Sequence, residues 1–113
     1  MLEITVAELS EKMKSDEQFI LLDIREPHEL DYARVTDRRM EATPMSRLAR
    51  EGIQAMSEAA QSQDATIYVL CHHGSRSVQV TMWLMQQGWK NVFNVRGGID
   101  EYARKVDPTV GFY

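Results

Sequence analysis

Cysteine is nearly absent: Cys71 is the single thiol in 113 residues. One cysteine excludes an internal disulfide and a multi-thiolate zinc site. It leaves a buried apolar thiol, a reactive thiol or an intermolecular link. Long apolar runs are also missing. No stretch approaches 18 residues, and Met1 to Thr5 supplies neither a basic n-region nor an apolar h-region, so neither a membrane span nor a secretion signal is expected and the protein is placed in the cytoplasm. There is no excess of positive charge. Thirteen Lys and Arg against seventeen Asp and Glu leave a net charge of −4, which argues against nucleic-acid binding, where affinity rests on neutralised phosphates. Internal repeats, low-complexity tracts and linkers are lacking as well. The composition that remains, 43% hydrophobic and 27% charged, is that of one ordinary globular domain. Residues 1–106 are assigned to that domain and 107–113 to a C-terminal tail.

The pattern along the chain alternates strand and helix. Thr5 and Glu8 have the spacing of a capping box, and Val6, Leu9 and Met13 follow at helical intervals, so a short helix starts near residue 6. Phe19 to Leu22 is a continuous apolar run ending at Asp23-Ile24-Arg25, as expected of a strand buried on both faces. Ser46 to Gln61 reads as an amphipathic helix carrying Leu48, Ile53, Met56 and Ala60, and Thr66 to Leu70 as a second buried strand. A further helix runs from Ser77 to a stop at Gly88, and a third strand spans Asn91 to Val95 before a Gly97-Gly98 turn. The predicted class is α/β, a central, mainly parallel sheet flanked by helices on both faces.

One segment carries chemistry. Cys71-His72-His73-Gly74-Ser75-Arg76 joins the strand 66–70 to the next helix, at the crevice where a parallel sheet opens and a helix N-terminus points inward. Consecutive backbone N–H groups curling toward one point make a nest for negative charge. Gly74 allows the backbone angles this requires, and Arg76 adds a planar cationic fork.

The loop and its neighbours resemble the rhodanese homology family of single-domain sulfurtransferases. The resemblance rests on Leu21-Leu22-Asp23-Ile24-Arg25 followed by Glu29, on Cys71, Gly74 and Arg76 in the family's Cys-x-x-Gly-x-Arg loop, and on the Val92 strand followed by Gly97-Gly98-Ile99. It implies a rhodanese-like fold and transfer of sulfane sulfur through a Cys71 persulfide. The donor would be a small sulfur-containing anion, thiosulfate or polysulfide, and the acceptor a thiol, an acceptor protein or cyanide. Cys71 is then the catalytic residue, His72, His73, Gly74, Ser75 and Arg76 bind the substrate, and neither a metal nor an organic cofactor is required. The alternatives are a sulfur carrier or docking module without turnover and, where the loop has one more residue before its arginine, a phosphatase or arsenate reductase. The chain departs from the family at Ala33-Arg34-Val35, where Gly-His-Ile is frequent, and at Tyr102, where tryptophan is common.

A lowered thiol pKa would be a weak reason for such a loop. A shift of two units below about 8.5 raises the thiolate fraction at pH 7 about 25-fold, but the accompanying fall in nucleophilicity leaves a gain of only about three-fold. Holding the anionic outer sulfur of a persulfide is a better use of several aligned N–H donors. His72 and His73 are expected as polar loop walls and not as metal ligands, because neighbours in an extended segment point apart and only His28 remains. Asp23 and Arg25 are assigned to fastening loops, and Met82, Trp83 and Met85 to the core. Arg34, Arg38 and Arg39 are expected as a solvated patch that an acidic partner could contact.

Overall fold

The computed structural model describes residues 2–113, so Met1, with which the expected domain begins, lies outside the described residues. Among the described residues, five strands form one sheet: β1 (Glu3–Ile4), β2 (Ile20–Asp23), β3 (Met40–Ala42), β4 (Thr66–Leu70) and β5 (Asn91–Val95). Their spatial order is β1-β5-β4-β2-β3, and every pairing is parallel. Four helices cover the sheet, α1 (Val6–Met13), α2 (Met45–Glu51), α3 (Ser75–Gln86) and α4 (Gly98–Lys105). The α/β class with helices on both faces is therefore observed.

Strand alternation explains the two-sided core. Ile20, Leu22, Ile67, Val69 and Cys71 point to one face and pack with Leu48, Val80 and Leu84. Leu21, Tyr68 and Leu70 point to the other and meet Val6, Leu9, Ile99 and Tyr102. Cys71 thus continues the inward register of β4 by one residue. The Thr5 box forms as expected: Glu8 N–H donates to Thr5 Oγ1 at 3.1 Å, and Thr5 N–H to Glu8 Oε1 at 2.9 Å.

Several expectations need correction. The helix expected over Ser46 to Gln61 ends at Glu51, because Gly52 adopts φ 66° and ψ −149°; a 3₁₀ turn, Gly52–Ala55, follows. Its apolar positions Leu48, Met56 and Ala60 are nevertheless buried, so the pattern marked the core and overstated the helix. The helix expected from Ser77 begins two residues earlier, and α4 replaces a simple turn at Gly97-Gly98. Met82 and Met85 are not core. They are 48% and 39% exposed, while Trp83 is half-buried and walls a groove with Met45, Leu48 and Val80. Arg39 leaves the expected surface patch altogether. It is buried, ion-pairs with Asp37 at 2.9 Å, lies over the Phe19 ring and donates to the carbonyls of Met13, Ser15 and Glu17. Arg34 and Arg38 stay exposed.

The segment 107–113 folds back onto the domain. Arg34 N–H donates to the Val110 carbonyl at 2.9 Å, and Tyr113 reaches the crevice at the C-terminal end of the sheet.

Gly98 sits at a close backbone contact beside the Cys71 loop. Its φ is +63°, and a Cβ there would lie 2.4 Å from the His72 carbonyl oxygen and 2.5 Å from that of Cys71. Gly98→Ala is expected to lower stability by about 1–3 kcal/mol from backbone conformation alone, and by more once the clash displaces the loop. Urea unfolding of the two proteins measures this; equal midpoints would contradict it.

Candidate active site

The loop from Cys71 curls between β4 and the first turn of α3, with Gly74 in the left-handed region, φ 103°. That turn aims two backbone N–H groups at one atom: Gly74 N–H and Ser77 N–H donate to Cys71 Sγ at 3.1 and 3.3 Å. Cys71 is fully buried at the floor of the loop. The outer side is fixed by the start of α4, where Ile99 N–H donates to the Cys71 carbonyl at 2.9 Å and Asp100 N–H to the His72 carbonyl at 3.0 Å. The amide nest anticipated from sequence is therefore present, and two of its N–H groups reach the sulfur.

Behind the sulfur lie two side chains to which the sequence assigned no role, although the Ser77 amide was expected among the loop's donors. The Ser77 hydroxyl is 3.2 Å from Cys71 Sγ and 2.5 Å from Asn94 Oδ1 on β5. Both side chains are buried. A serine one position beyond the arginine and an asparagine inside an apolar strand were the available signals.

Arg76 does not offer its fork to the loop. Both terminal nitrogens go to Glu29, at 2.8 and 2.7 Å, in a bidentate pair. That pair raises the Arg76 pKa further above its ordinary value and draws the Glu29 carboxyl down to about 2, against the opposing effect of burial. Beneath it lies a second pair, Asp23–Arg25, fully buried with its shortest contact at 2.7 Å. The Tyr113 hydroxyl joins the two, donating to Glu29 Oε1 at 2.9 Å and accepting from Arg25 at 3.2 Å. Asp23 and Arg25 fasten the β2 loop, as expected.

His72 and His73 were expected to point apart, but the loop bends and their rings stack at 3.8 Å. The Tyr113 ring covers the other face of His72 at 3.7 Å and 6°. Burial, reinforced by His73, pushes the His72 pKa below that of an ordinary histidine, so this wall of the site is neutral at pH 7. His73 and Ser75 are exposed at the loop rim. Among the described residues, His72, His73 and Asp100 bring possible metal-ligand atoms within 4.8 Å of one another. The Asp100 carboxylate is already engaged, accepting from Arg104 at 2.9 Å.

A cysteine at the end of an inner parallel strand, ringed by a six-residue loop and locked by a double glycine, agrees with a sequence match: the model of the rhodanese-like domain matches residues 5–105. The chain belongs to this family. A sulfurtransferase of Allochromatium vinosum is 37% identical, over 96% of this chain and 94% of its own. A chloroplastic Arabidopsis thaliana protein described as rhodanese-like/PpiC domain-containing is 35% identical over 98% of this chain, which spans only 37% of that longer relative. A crystal structure of a Staphylococcus saprophyticus protein superposes with a TM-score of 0.75 at 30% identity, covering 94% of this chain and 97% of the other. Within the rhodanese-like frame, the departure at Ala33-Arg34-Val35 buries Ala33 and Val35 and exposes Arg34. Tyr102, in place of the common tryptophan, is buried against the α1 side of the sheet.

The Glu29–Arg76 pair has a pH signature. A carboxyl held near 2 in the folded state, against about 4.3 unfolded, stabilises the fold fully above the unfolded value. That contribution is lost as pH falls toward the folded value. Glu29→Gln is expected to be less stable than wild type at pH 7, with the gap narrowing between about pH 4 and 2. Chemical unfolding across that range measures the gap; a constant difference would show that the pair does not carry it.

Proposed function

We propose that this chain is a rhodanese-type sulfurtransferase in which Cys71 carries the sulfur. The observation that carries the reading is the convergence of the Gly74 and Ser77 N–H groups on Cys71 Sγ at the start of α3. The Allochromatium relative, described as a sulfurtransferase and matched along nearly its whole length, supports it.

The chemistry runs in two displacements. Cys71 thiolate attacks the outer sulfur of the donor; the new S–S bond forms as the donor's own bond to that sulfur breaks. With thiosulfate the departing group is sulfite, and with a polysulfide it is the chain shortened by one sulfur. The bonding electrons leave with it, and Cys71 is left as a persulfide whose outer sulfur holds the negative charge. An acceptor thiolate, or cyanide, then attacks that sulfur and Cys71 departs as thiolate. The amides of His72 to Ser77 hold the outer sulfur, Gly74 shapes the loop, and His72, His73 and Ser75 form the walls and rim that the donor passes. The Glu29 pairing makes Arg76 a brace that keeps the start of α3 in place. A six-residue ring from Cys71 to Arg76 suits a single sulfur atom better than the tetrahedral phosphate of a phosphatase or arsenate reductase. A reducing, cytoplasmic setting suits a lone thiol that must be regenerated each cycle.

The electrostatics favour a particular donor. His72 is neutral, Arg76 is neutralised by Glu29 and the chain carries −4, so a small dianion meets little attraction at the entrance. The same neutrality favours, as a second reading, a carrier that exchanges sulfur with one protein partner. Persulfide formation from polysulfide is expected to be faster than from thiosulfate, with a high KM for the latter. Single-turnover and steady-state rates at two ionic strengths test this, and a thiosulfate kcat/KM at or above that for polysulfide would overturn the preference.

The nucleophile has a direct test. Incubation with either donor is expected to add about 32 Da, one sulfur, removable by dithiothreitol, and Cys71→Ser is expected to lose both this mass and turnover while remaining folded. Undiminished transfer by that variant would refute the mechanism.

A further inference from the structure

The hydrogen-bond chain behind Cys71 has a direction. Glu3 and Asn94 are cross-strand neighbours in the β1–β5 register, and Asn94 Nδ2 donates to Glu3 Oε2 at 3.3 Å. A carboxylate only accepts, so it fixes the amide with Nδ2 outward and Oδ1 toward Ser77. Asn94 Oδ1 and Ser77 Oγ are 2.5 Å apart, and only the serine has a hydrogen to place between them. With that hydrogen committed, Ser77 Oγ meets Cys71 Sγ, 3.2 Å away, as an acceptor. The resting chain is therefore written for a protonated sulfur: Cys71 S–H to Ser77 Oγ, Ser77 O–H to Asn94 Oδ1.

Loss of the Cys71 proton reverses the demand. Toward the Ser77 hydroxyl the sulfur turns from donor to acceptor, and it is fully buried beside equally buried Ser77, with Asn94 2% exposed, so water does not supply a further donor beside the Gly74 and Ser77 N–H groups. The serine hydroxyl then has to choose between the sulfur, Asn94 Oδ1 and the Gly74 carbonyl, 3.1 Å away.

We propose that Ser77 and Asn94 form a two-position hydrogen-bond switch on Cys71, in which Ser77 donates to the sulfur only while it is anionic and Asn94 competes for the same hydrogen. This rests on the proposed use of Cys71 as the nucleophile. Ser77 is a positioning residue. It supports Cys71 at the two moments when Sγ carries charge, before attack on the donor and on departure from the persulfide. In the persulfide the charge has moved to the outer sulfur, and the hydroxyl returns to Asn94. Ser77 favours the thiolate and Asn94 favours the thiol, so their removal acts in opposite directions.

That opposition separates a switch from a merely structural role. Cys71 is the only cysteine, so ultraviolet thiolate absorbance of the whole protein at pH 7, corrected with an alkylated control, reports it alone. Ser77→Ala is expected to lower the thiolate fraction about ten-fold, the effect of one charge-assisted hydrogen bond, and Ser77→Thr to restore it. Asn94→Leu is expected to raise the fraction. Glu3→Lys, at an exposed position outside the core, presents a donor to the Asn94 amide. Its Oδ1 then turns outward and its Nδ2 toward Ser77, which also raises the fraction. Reading this variant at high salt screens its distant charge. The surface variant keeps the test decisive even where Asn94→Leu fails to fold. No change in Ser77→Ala, or no rise in either of the other two, would overturn the proposal. Because no sulfur donor is present, failure of the wild type to gain sulfur mass would bear on the proposed function and leave this measurement intact.

Discussion

The site depends on a close backbone contact between two loops. The carbonyls of Cys71 and His72 face α4, where the Ile99 and Asp100 N–H groups donate to them, and the absence of a side chain at Gly98 is what lets the two segments of chain come so near. With those carbonyls turned to α4, the loop's own N–H groups at 74 and 77 are free to turn to the sulfur. Carbonyls directed one way and amides the other make a nest for an anion from backbone alone. Gly74 reaches the same contact from the opposite side, with its Cβ direction 3.2 Å from the Gly97 nitrogen.

Charge is arranged around that nest so that little of it is free. Asp23–Arg25 is completely buried and Glu29–Arg76 lies above it, with the Tyr113 hydroxyl between them. Breaking a buried pair by removing one partner typically costs about 3–5 kcal/mol, because the other charge is left desolvated. Such pairs define the positions of the β2 loop and the start of α3. They do so by consuming the positive charge beside the loop, which leaves the neutral, stacked His72 and the backbone at its wall.

Local patterns were legible where local physics decides. The Thr5 capping box, the inner strands β2, β4 and β5, and the Cys71 loop are set by contacts within a few residues or by simple alternation, and each lies where the sequence indicated. The long helix over 46–61 was misread because apolar periodicity reports burial, and the φ of Gly52 breaks the helix while burial continues in the turns beyond it. The short strands β1 and β3 carry too few residues for a pattern and exist because a neighbouring strand offers them partners. Arg39 looked like surface charge, yet a cluster of helix-end carbonyls and the Phe19 ring give it a buried place that no sequence pattern announces.

By itself, the sequence determined the α/β class, the position of the loop between β4 and α3 and the placement of the chain's single thiol in it. Those follow from periodicity, turn residues and the uniqueness of Cys71. Only the tertiary structure decided what the loop's neighbours do: that Arg76 turns to Glu29 47 positions away in the chain, that Tyr113 covers His72, and that Asn94 and Glu3 lie behind Ser77. These partners are far apart in sequence and meet because parallel strands deliver their C-terminal ends, and the loops that leave them, to one crevice.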